Sequence, residues 1–146
     1  MIRISTRGRY ALRAMVDLAQ HGGSGPVSRR EMAERQEISA EYVAQLFRHL
    51  QSAGLVEGVK GPGGGYRLAR DAARITAREV VEAVEGPVAI VHCTLPCPDE
   101  GPACRRVDGC VTHHLWKRVS EAVTEVLDSV TLRDLADEAV QLSGNG

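Results

Sequence analysis

Apolar positions between Thr6 and Gln20 fall at helical spacing. Tyr10, Leu12, Met15, Val16 and Ala19 gather on one side and predict an amphipathic helix. The stretch His21-Gly22-Gly23-Ser24-Gly25-Pro26 has the composition of a loop and interrupts it. Ser28-Arg29-Arg30-Glu31 has the form of a capping box, in which the hydroxyl and the carboxylate each satisfy a free backbone N–H; a short helix to about Gln36 follows from it. Glu37-Ile38-Ser39 reads as a turn. Ser39 is then the N-cap of a further helix with Val43, Leu46, Phe47 and Leu50 on one face. Gly54 closes that helix, because glycine accepts the left-handed conformation just past a helix end.

A hairpin is expected next, with strands from Leu55 to Lys60 and from Tyr66 to Ala69 around the tip Gly61-Pro62-Gly63-Gly64-Gly65. Thr76-Ala77-Arg78-Glu79 is a second capping box and opens a helix to about Glu85, stopped by Gly86-Pro87. The stretch from Val88 to Val111 is too rich in Pro, Gly and Cys to be regular. So long an irregular connection in a compact protein needs something to order it, and a bound metal would do so. From Thr112 a long helix should run to about Ser129, with Leu115, Val119, Val123, Val126 and Val130 on one side. Ser143-Gly144-Asn145-Gly146 reads as a disordered end. No internal repeat is present.

Composition changes the picture in two ways. Hydrophobic residues make up 43% of the 146 positions but aromatics only 3%, so the core must be aliphatic. The net charge of −1 hides an asymmetry: residues 1–74 carry 12 Lys+Arg against 7 Asp+Glu, and residues 75–146 carry 6 against 12. A front half of net +5 is suited to neutralising phosphates. No apolar run approaches the roughly 18 residues that span a bilayer, so no membrane partner is expected. The first residues lack the apolar core of a signal peptide, and a cytoplasmic location with reduced thiols is the expectation.

Helix, short helix, tight turn, helix and glycine-tipped hairpin is the order of a winged helix-turn-helix, whose second helix enters the major groove with its N-terminal residues facing base edges. Here those residues are Ser39, Ala40, Glu41, Tyr42 and Gln45. The Gln45 amide suits adenine N6/N7, and the hydroxyls of Ser39 and Tyr42 suit phosphates or bases. Arg48, Arg7, Arg9, Arg29 and Arg30 are phosphate candidates, with solvated surface positions as the plain alternative. In the wing, Gly63 and Gly64 let the backbone approach DNA, and Lys60 can reach the minor groove. The tip is not a nucleotide-binding loop, because it lacks the following Lys-Ser/Thr and the strand-to-helix context.

The chain's four cysteines, Cys93, Cys97, Cys104 and Cys110, fall within 18 residues. Soft thiolates at this density suit an iron–sulfur cluster or zinc, and a thiol–disulfide switch is a further option. Close C-x2-C knuckles, the usual zinc arrangement, are missing. Spacing does not separate a two-iron from a four-iron cluster. His92 and His114 read as exposed, and Trp116 as packing.

Ile38-Ser39 through Phe47, then Gly54-Leu55-Val56 and Gly61-Pro62-Gly63-Gly64-Gly65-Tyr66-Arg67-Leu68, resemble the IscR-like family of bacterial winged-helix regulators. Ser5-Thr6-Arg7-Gly8-Arg9-Tyr10-Ala11 and Cys110-Val111-Thr112-His113-His114-Leu115-Trp116 carry the same likeness, which covers roughly residues 1–135. The resemblance implies a transcriptional regulator that senses iron–sulfur status, nitric oxide, iron or redox state. It also implies a homodimer on a pseudo-palindromic double-stranded DNA operator, with the long helix packed on its twin. The Leu115–Val130 stripe supports pairing independently, since it is long for one helix to hide; folding back on its own domain is the alternative.

By the same resemblance Cys104 and Cys110 match the last two cluster cysteines and His113 the ligand histidine. Either Cys93 or Cys97 is the first cysteine, and an all-cysteine cluster without His113 is a further option. Two positions depart from the pattern. Ala44 stands where such regulators often carry Glu, and Lys60 where they often carry Arg, which changes operator preference and weakens minor-groove shape reading.

The expected architecture is therefore mostly α with a small β-hairpin wing. A winged helix-turn-helix domain occupies 1–86, a cysteine-rich cluster loop 87–111, a dimerisation helix 112–135 and a tail 136–146. No nucleophile–base pair or carboxylate pair stands out, so an enzyme is not expected. A small iron–sulfur carrier would use the same cysteines but has no need of a wing.

Overall fold

The computed structural model describes residues 3–90 and 111–144. Its helices are α1 (Thr6–His21), α2 (Arg29–Gln36), α3 (Ala40–Ser52), α4 (Ala77–Glu85), α5 (Val111–Ser129) and α6 (Leu132–Gly144). Between α3 and α4 lies an antiparallel hairpin of β1 (Val56–Val59) and β2 (Gly65–Leu68), in the register Val56↔Leu68 and Val59↔Gly65.

A hydroxyl side chain starts each of the first four helices. Ser5 accepts from the N–H of Gly8, Ser28 from Glu31, Ser39 from Tyr42 and Thr76 from Glu79. Each cap is worth about 1 kcal/mol. Thr76 and Glu79 complete the reciprocal box. At α2 only the serine half forms, because the Glu31 carboxylate turns along the helix towards Arg35, 3.9 Å away. Burial would raise the Glu79 carboxyl, but hydrogen bonds from the Arg70 guanidinium and the Thr76 N–H outweigh it and hold the group below its ordinary range.

The core is aliphatic, as composition requires. Met15 and Leu18 of α1, Met32 of α2, Val43, Leu46 and Leu50 of α3 and Val80 of α4 are buried around Phe47. One charged group sits among them. Asp17 of α1 is 2% exposed, and its carboxylate accepts from Arg35 Nε and Nη2, both at 2.8 Å, and from Gln36 Nε2 at 2.9 Å. Asp17 in turn pushes the Arg35 guanidinium above its ordinary pKa, chiefly through that hydrogen bond. Arg13, one turn earlier on α1, donates to the Gln36 side chain at 3.1 Å and backbone carbonyl at 3.3 Å. Together they fix the end of α2, and so the turn into α3, against α1.

The C-terminal end differs from the sequence expectation. Where a dimerisation helix is expected over 112–135 and a tail over 136–146, α5 ends at Ser129 and a separate helix, α6, spans Leu132–Gly144. Thr131 and Asp134 cap it reciprocally: the Thr131 N–H donates to the Asp134 carboxylate at 2.9 Å, and the Asp134 N–H to the Thr131 hydroxyl at 3.2 Å. Leu132 and Ala136 bury this helix's inner face. The junction before it is pinned by the backbone, with the Ala77 N–H donating to the Val130 carbonyl at 2.8 Å and the Leu132 N–H to that of Ile75 at 2.9 Å. The stretch of Ser143-Gly144-Asn145-Gly146 beyond Gly144 lies outside the described residues.

The two partners of the buried pair should respond unequally. Arg35→Ala strands the Asp17 carboxylate in the core and is expected to cost about 3 kcal/mol in urea unfolding. Asp17→Ala leaves an arginine that reaches water, its side chain 35% exposed, and should cost roughly half as much.

Candidate nucleic-acid interface

The turn between α2 and α3 is held by Glu37 in the left-handed region, φ 57° and ψ 44°, and by the Ile38 N–H donating to the Ala33 carbonyl at 3.1 Å. That bend sends α3 across the domain. Val43, Leu46, Phe47 and Leu50 face the core, while Glu41, Gln45, Arg48 and Ser52 line the opposite, exposed side. Ser39 sits at the entrance: its hydroxyl oxygen is used in the cap, and its proton remains to donate. Tyr42 is half-buried, its ring edge-on to Tyr10 of α1 at 6.0 Å, and Arg13 stacks over Tyr10 at 4.9 Å from the ring centre. Arg13, which also bonds Gln36 of α2, thus links α2 to the aromatic contact beside α3.

The wing is positioned by a contact that sequence reading missed. Val27, the residue before the Ser28 cap, bridges to Tyr66 of β2 through paired hydrogen bonds of 2.9 and 2.8 Å. The Tyr66 ring then lies on Phe47 of α3, with ring centres 4.4 Å apart. Gly65 makes this possible. Its φ is 153°, and a Cβ there would come within 2.1 Å of the Val27 carbonyl oxygen. The isolated apolar Val27 between Pro26 and Ser28 was the available signal, but a single residue has no periodicity to read.

Between α2, the end of α3 and the wing runs an open groove of about 550 Å³, lined by Ser28, Arg29, Arg30, Gln51, Lys60, Gly64 and their neighbours. Of the expected DNA-contacting residues, Arg29, Lys60 and Gly64 meet here. Gly63, with φ 75°, lies at the adjoining tip, and Arg48 is on α3. Arg29, Arg48 and Lys60 are exposed and join no ion pair among the described residues. Arg30 is paired with Glu34 at 3.1 Å. Gln51 extends the exposed side of α3 beyond Arg48 and lines the groove, a position the sequence reading stopped short of. Arg7 is exposed in the first turn of α1. Arg9 is not brought to this groove; it lines the hollow between α1, α4 and α5 and the groove between α1 and α6.

Cys93, Cys97, Cys104 and Cys110, with His92, lie outside the described residues. His113 stands in the first turn of α5 and is buried, and the His114 ring lies 5.8 Å from it. Among the described residues no group of three or more His, Cys, Asp or Glu gathers in a metal-binding arrangement. The supports on either side of the cysteine segment are described. The Glu85 carboxylate accepts from the Ser5 N–H at 2.9 Å and from the Ser5 hydroxyl. The Ile90 N–H donates to the Ser120 hydroxyl of α5 at 3.1 Å. Segment 91–110 therefore leaves from one fixed support and re-enters at the head of α5.

Fold and groove are those of a winged helix-turn-helix, and the proteins this chain is similar to are DNA-binding transcriptional regulators, not enzymes. The chain belongs to the Rrf2 family, described as iron-dependent transcriptional regulators, whose model matches residues 4–138. It is 46% identical over 134 residues to the HTH-type transcriptional regulator IscR of Xenorhabdus nematophila, covering 92% of this chain and 79% of that protein. It is 45% identical over 134 residues, with the same coverage, to a putative HTH-type regulator of Azotobacter vinelandii. Among solved structures, the IscR of T. potens superposes with a TM-score of 0.76 at 40% identity, covering 94% of this chain and 88% of that one. CymR, the global cysteine regulator of B. subtilis, gives 0.76 at 40%, covering 94% and 98%. The IscR-like resemblance read from the sequence is borne out.

Gly65→Ala is expected to drive the wing off Val27, lowering the melting temperature and weakening duplex binding together. Arg29→Ala and Lys60→Ala should leave the fold intact. Each should lower the slope of log affinity against log salt by about one, equally for all sequences, in fluorescence anisotropy on a labelled duplex.

Proposed function

We propose that this regulator binds pseudo-palindromic operators as a homodimer and that an iron–sulfur cluster held within Cys93–Cys110 controls its binding. The observation that carries the reading is the placement of α5. The cysteine segment ends at Cys110, directly before Val111, and the far end of the same helix is tied by backbone hydrogen bonds to residues 75–77 of the DNA-binding domain. A change at the head of α5 is then levered against a fixed point.

Dimerisation is supported by the apolar residues α5 leaves in water. Val111 is 83% exposed, Leu115 48% and Val126 63%, on a helix whose other side rests on its own α4. Pairing of two such helices would bury them and set two copies of α3 at a fixed spacing, as successive major grooves require. A dimer seated on an operator that overlaps a promoter would repress by excluding other proteins from the same DNA. Such a role belongs in the cytoplasm, and no helix among the described residues is long and apolar enough to cross a membrane.

The donor set fits a cluster. Four thiols are soft ligands of the kind that hold iron and sulfide, and the His113 imidazole, three residues after Cys110, is a nitrogen donor that also suits iron. When bound, a cluster supplies sensitivity to iron supply, oxidants and nitric oxide. The protein's own part is to carry the state of the 87–111 segment into α5. The second reading is a thiol–disulfide switch, which the same four cysteines within 18 residues would serve without metal.

Anaerobic purification with iron and sulfide analysis decides between the two. Stoichiometric iron and sulfide, lost in Cys104→Ala and Cys110→Ala, is the expected result. A colourless, iron-free protein whose duplex binding follows thiol oxidation would establish the switch instead, and zinc in place of iron would establish a structural site.

A further inference from the structure

We propose that Glu41 selects a cytosine in each operator half-site and, with Gln45, sets the sequence this protein prefers. The inference rests on α3 being the recognition helix. Glu41, Gln45, Arg48 and Ser52 form one exposed row, and each has a different means of meeting DNA. The Ser52 hydroxyl turns back to the Arg48 carbonyl at 3.0 Å, so it is engaged within the helix. Arg48 is a cation that joins no ion pair among the described residues. Glu41 is the sole acidic residue of α3.

No ion pair among the described residues neutralises Glu41, although arginines pair with carboxylates elsewhere in the domain. A bare carboxylate on the face that approaches phosphates weakens binding to every sequence alike. That loss is recovered only where the carboxylate finds a donor, and in the major groove cytosine N4–H is the donor that suits Glu. A first-turn carboxylate also favours the helix dipole. That role is uniform over DNA sequences, and Ser39 already caps the helix, accepting from the Tyr42 N–H at 3.0 Å.

Geometry adds a spacing. Glu41 and Gln45 are four residues apart, about 6 Å along the helix, which spans about two base pairs at ~3.4 Å each. The cytosine and the adenine suited to Gln45 should therefore lie within about two base pairs of each other.

The test is selection from a library of randomised duplexes with the full chain, wild type beside Glu41→Gln and Glu41→Ala, with folding checked by thermal melts. The wild type should enrich a motif holding cytosine at one position per half-site. Glu41→Gln should shift that position towards adenine, and Glu41→Ala should lose the preference there by roughly tenfold. Both variants should bind random duplex more tightly than the wild type. A wild-type motif that both variants reproduce unchanged overturns the inference while leaving α3 as the reading helix. A wild type that enriches no motif overturns both.

Discussion

The placement of α2 against α1, from which α3 and the wing follow, rests on one buried carboxylate. Asp17 is the charged residue of the core, and its oxygens are met by three donors from the last turn of α2. An ion in an aliphatic interior is costly unless fully bonded, so this pair tolerates little displacement of α2 along α1. Its value lies in placement more than in net stability. Leu, Val and Met contacts could accept a small slide of α2; a bidentate guanidinium cannot. Because α2 is fixed, the left-handed turn at Glu37 starts α3 from a defined point, and burial of Val43, Leu46, Phe47 and Leu50, with Tyr42 edge-on to Tyr10, sets the direction of its exposed row. The wing inherits the same reference, since Val27 at the other end of α2 holds β2.

The second half of the molecule is joined to this frame by backbone hydrogen bonds as well as by side chains, with Leu132 buried in the core and Arg78 and Arg133 facing Asp128 and Asp71. Val130 and Leu132 exchange hydrogen bonds with Ala77 and Ile75, and α6 lies against α1. A helix held firmly at one end and continued at the other into a cysteine-rich segment is a suitable lever for a two-state coupling between a metal site and a DNA site, of the usual one to three kcal/mol or about 5–150-fold in affinity. Similar folds serve both IscR of T. potens and CymR, the global cysteine regulator of B. subtilis, so the frame alone does not specify a signal.

Local signals were legible at three caps, Ser28, Ser39 and Thr76, where the side chain announces its own backbone partner, and the buried and exposed faces of α3 follow its 3.6-residue period; the cap at Ser5 was not read. What the sequence hides is non-local. The Val27–Tyr66 bridge joins residues far apart in the chain, and nothing in either residue type marks it. Helix α6 escaped because Thr131 and Asp134 make a capping box with Asp in place of Glu. Its amphipathic pattern, Leu132, Leu135, Ala136 and Ala139, is short and close to a glycine-rich end. Asp17 gave no warning either: a lone acidic residue in an amphipathic helix ordinarily faces water. For the site, residue types pointed to DNA contact, while burial and pairing separate Arg29, Arg48 and Lys60 from the neutralised Arg30 and the displaced Arg9.

The central claim is that the state of the cysteine segment reaches α3 through α5. The direct measurement is the affinity of the anaerobically prepared protein for its selected operator, before and after removal of the metal, across a full salt titration. The account predicts a shift of roughly tenfold or more that persists at every salt concentration, with the salt slope largely unchanged, because the spacing of the recognition helices changes and not the phosphate contacts. Affinity that is the same with and without metal over the whole titration would contradict it.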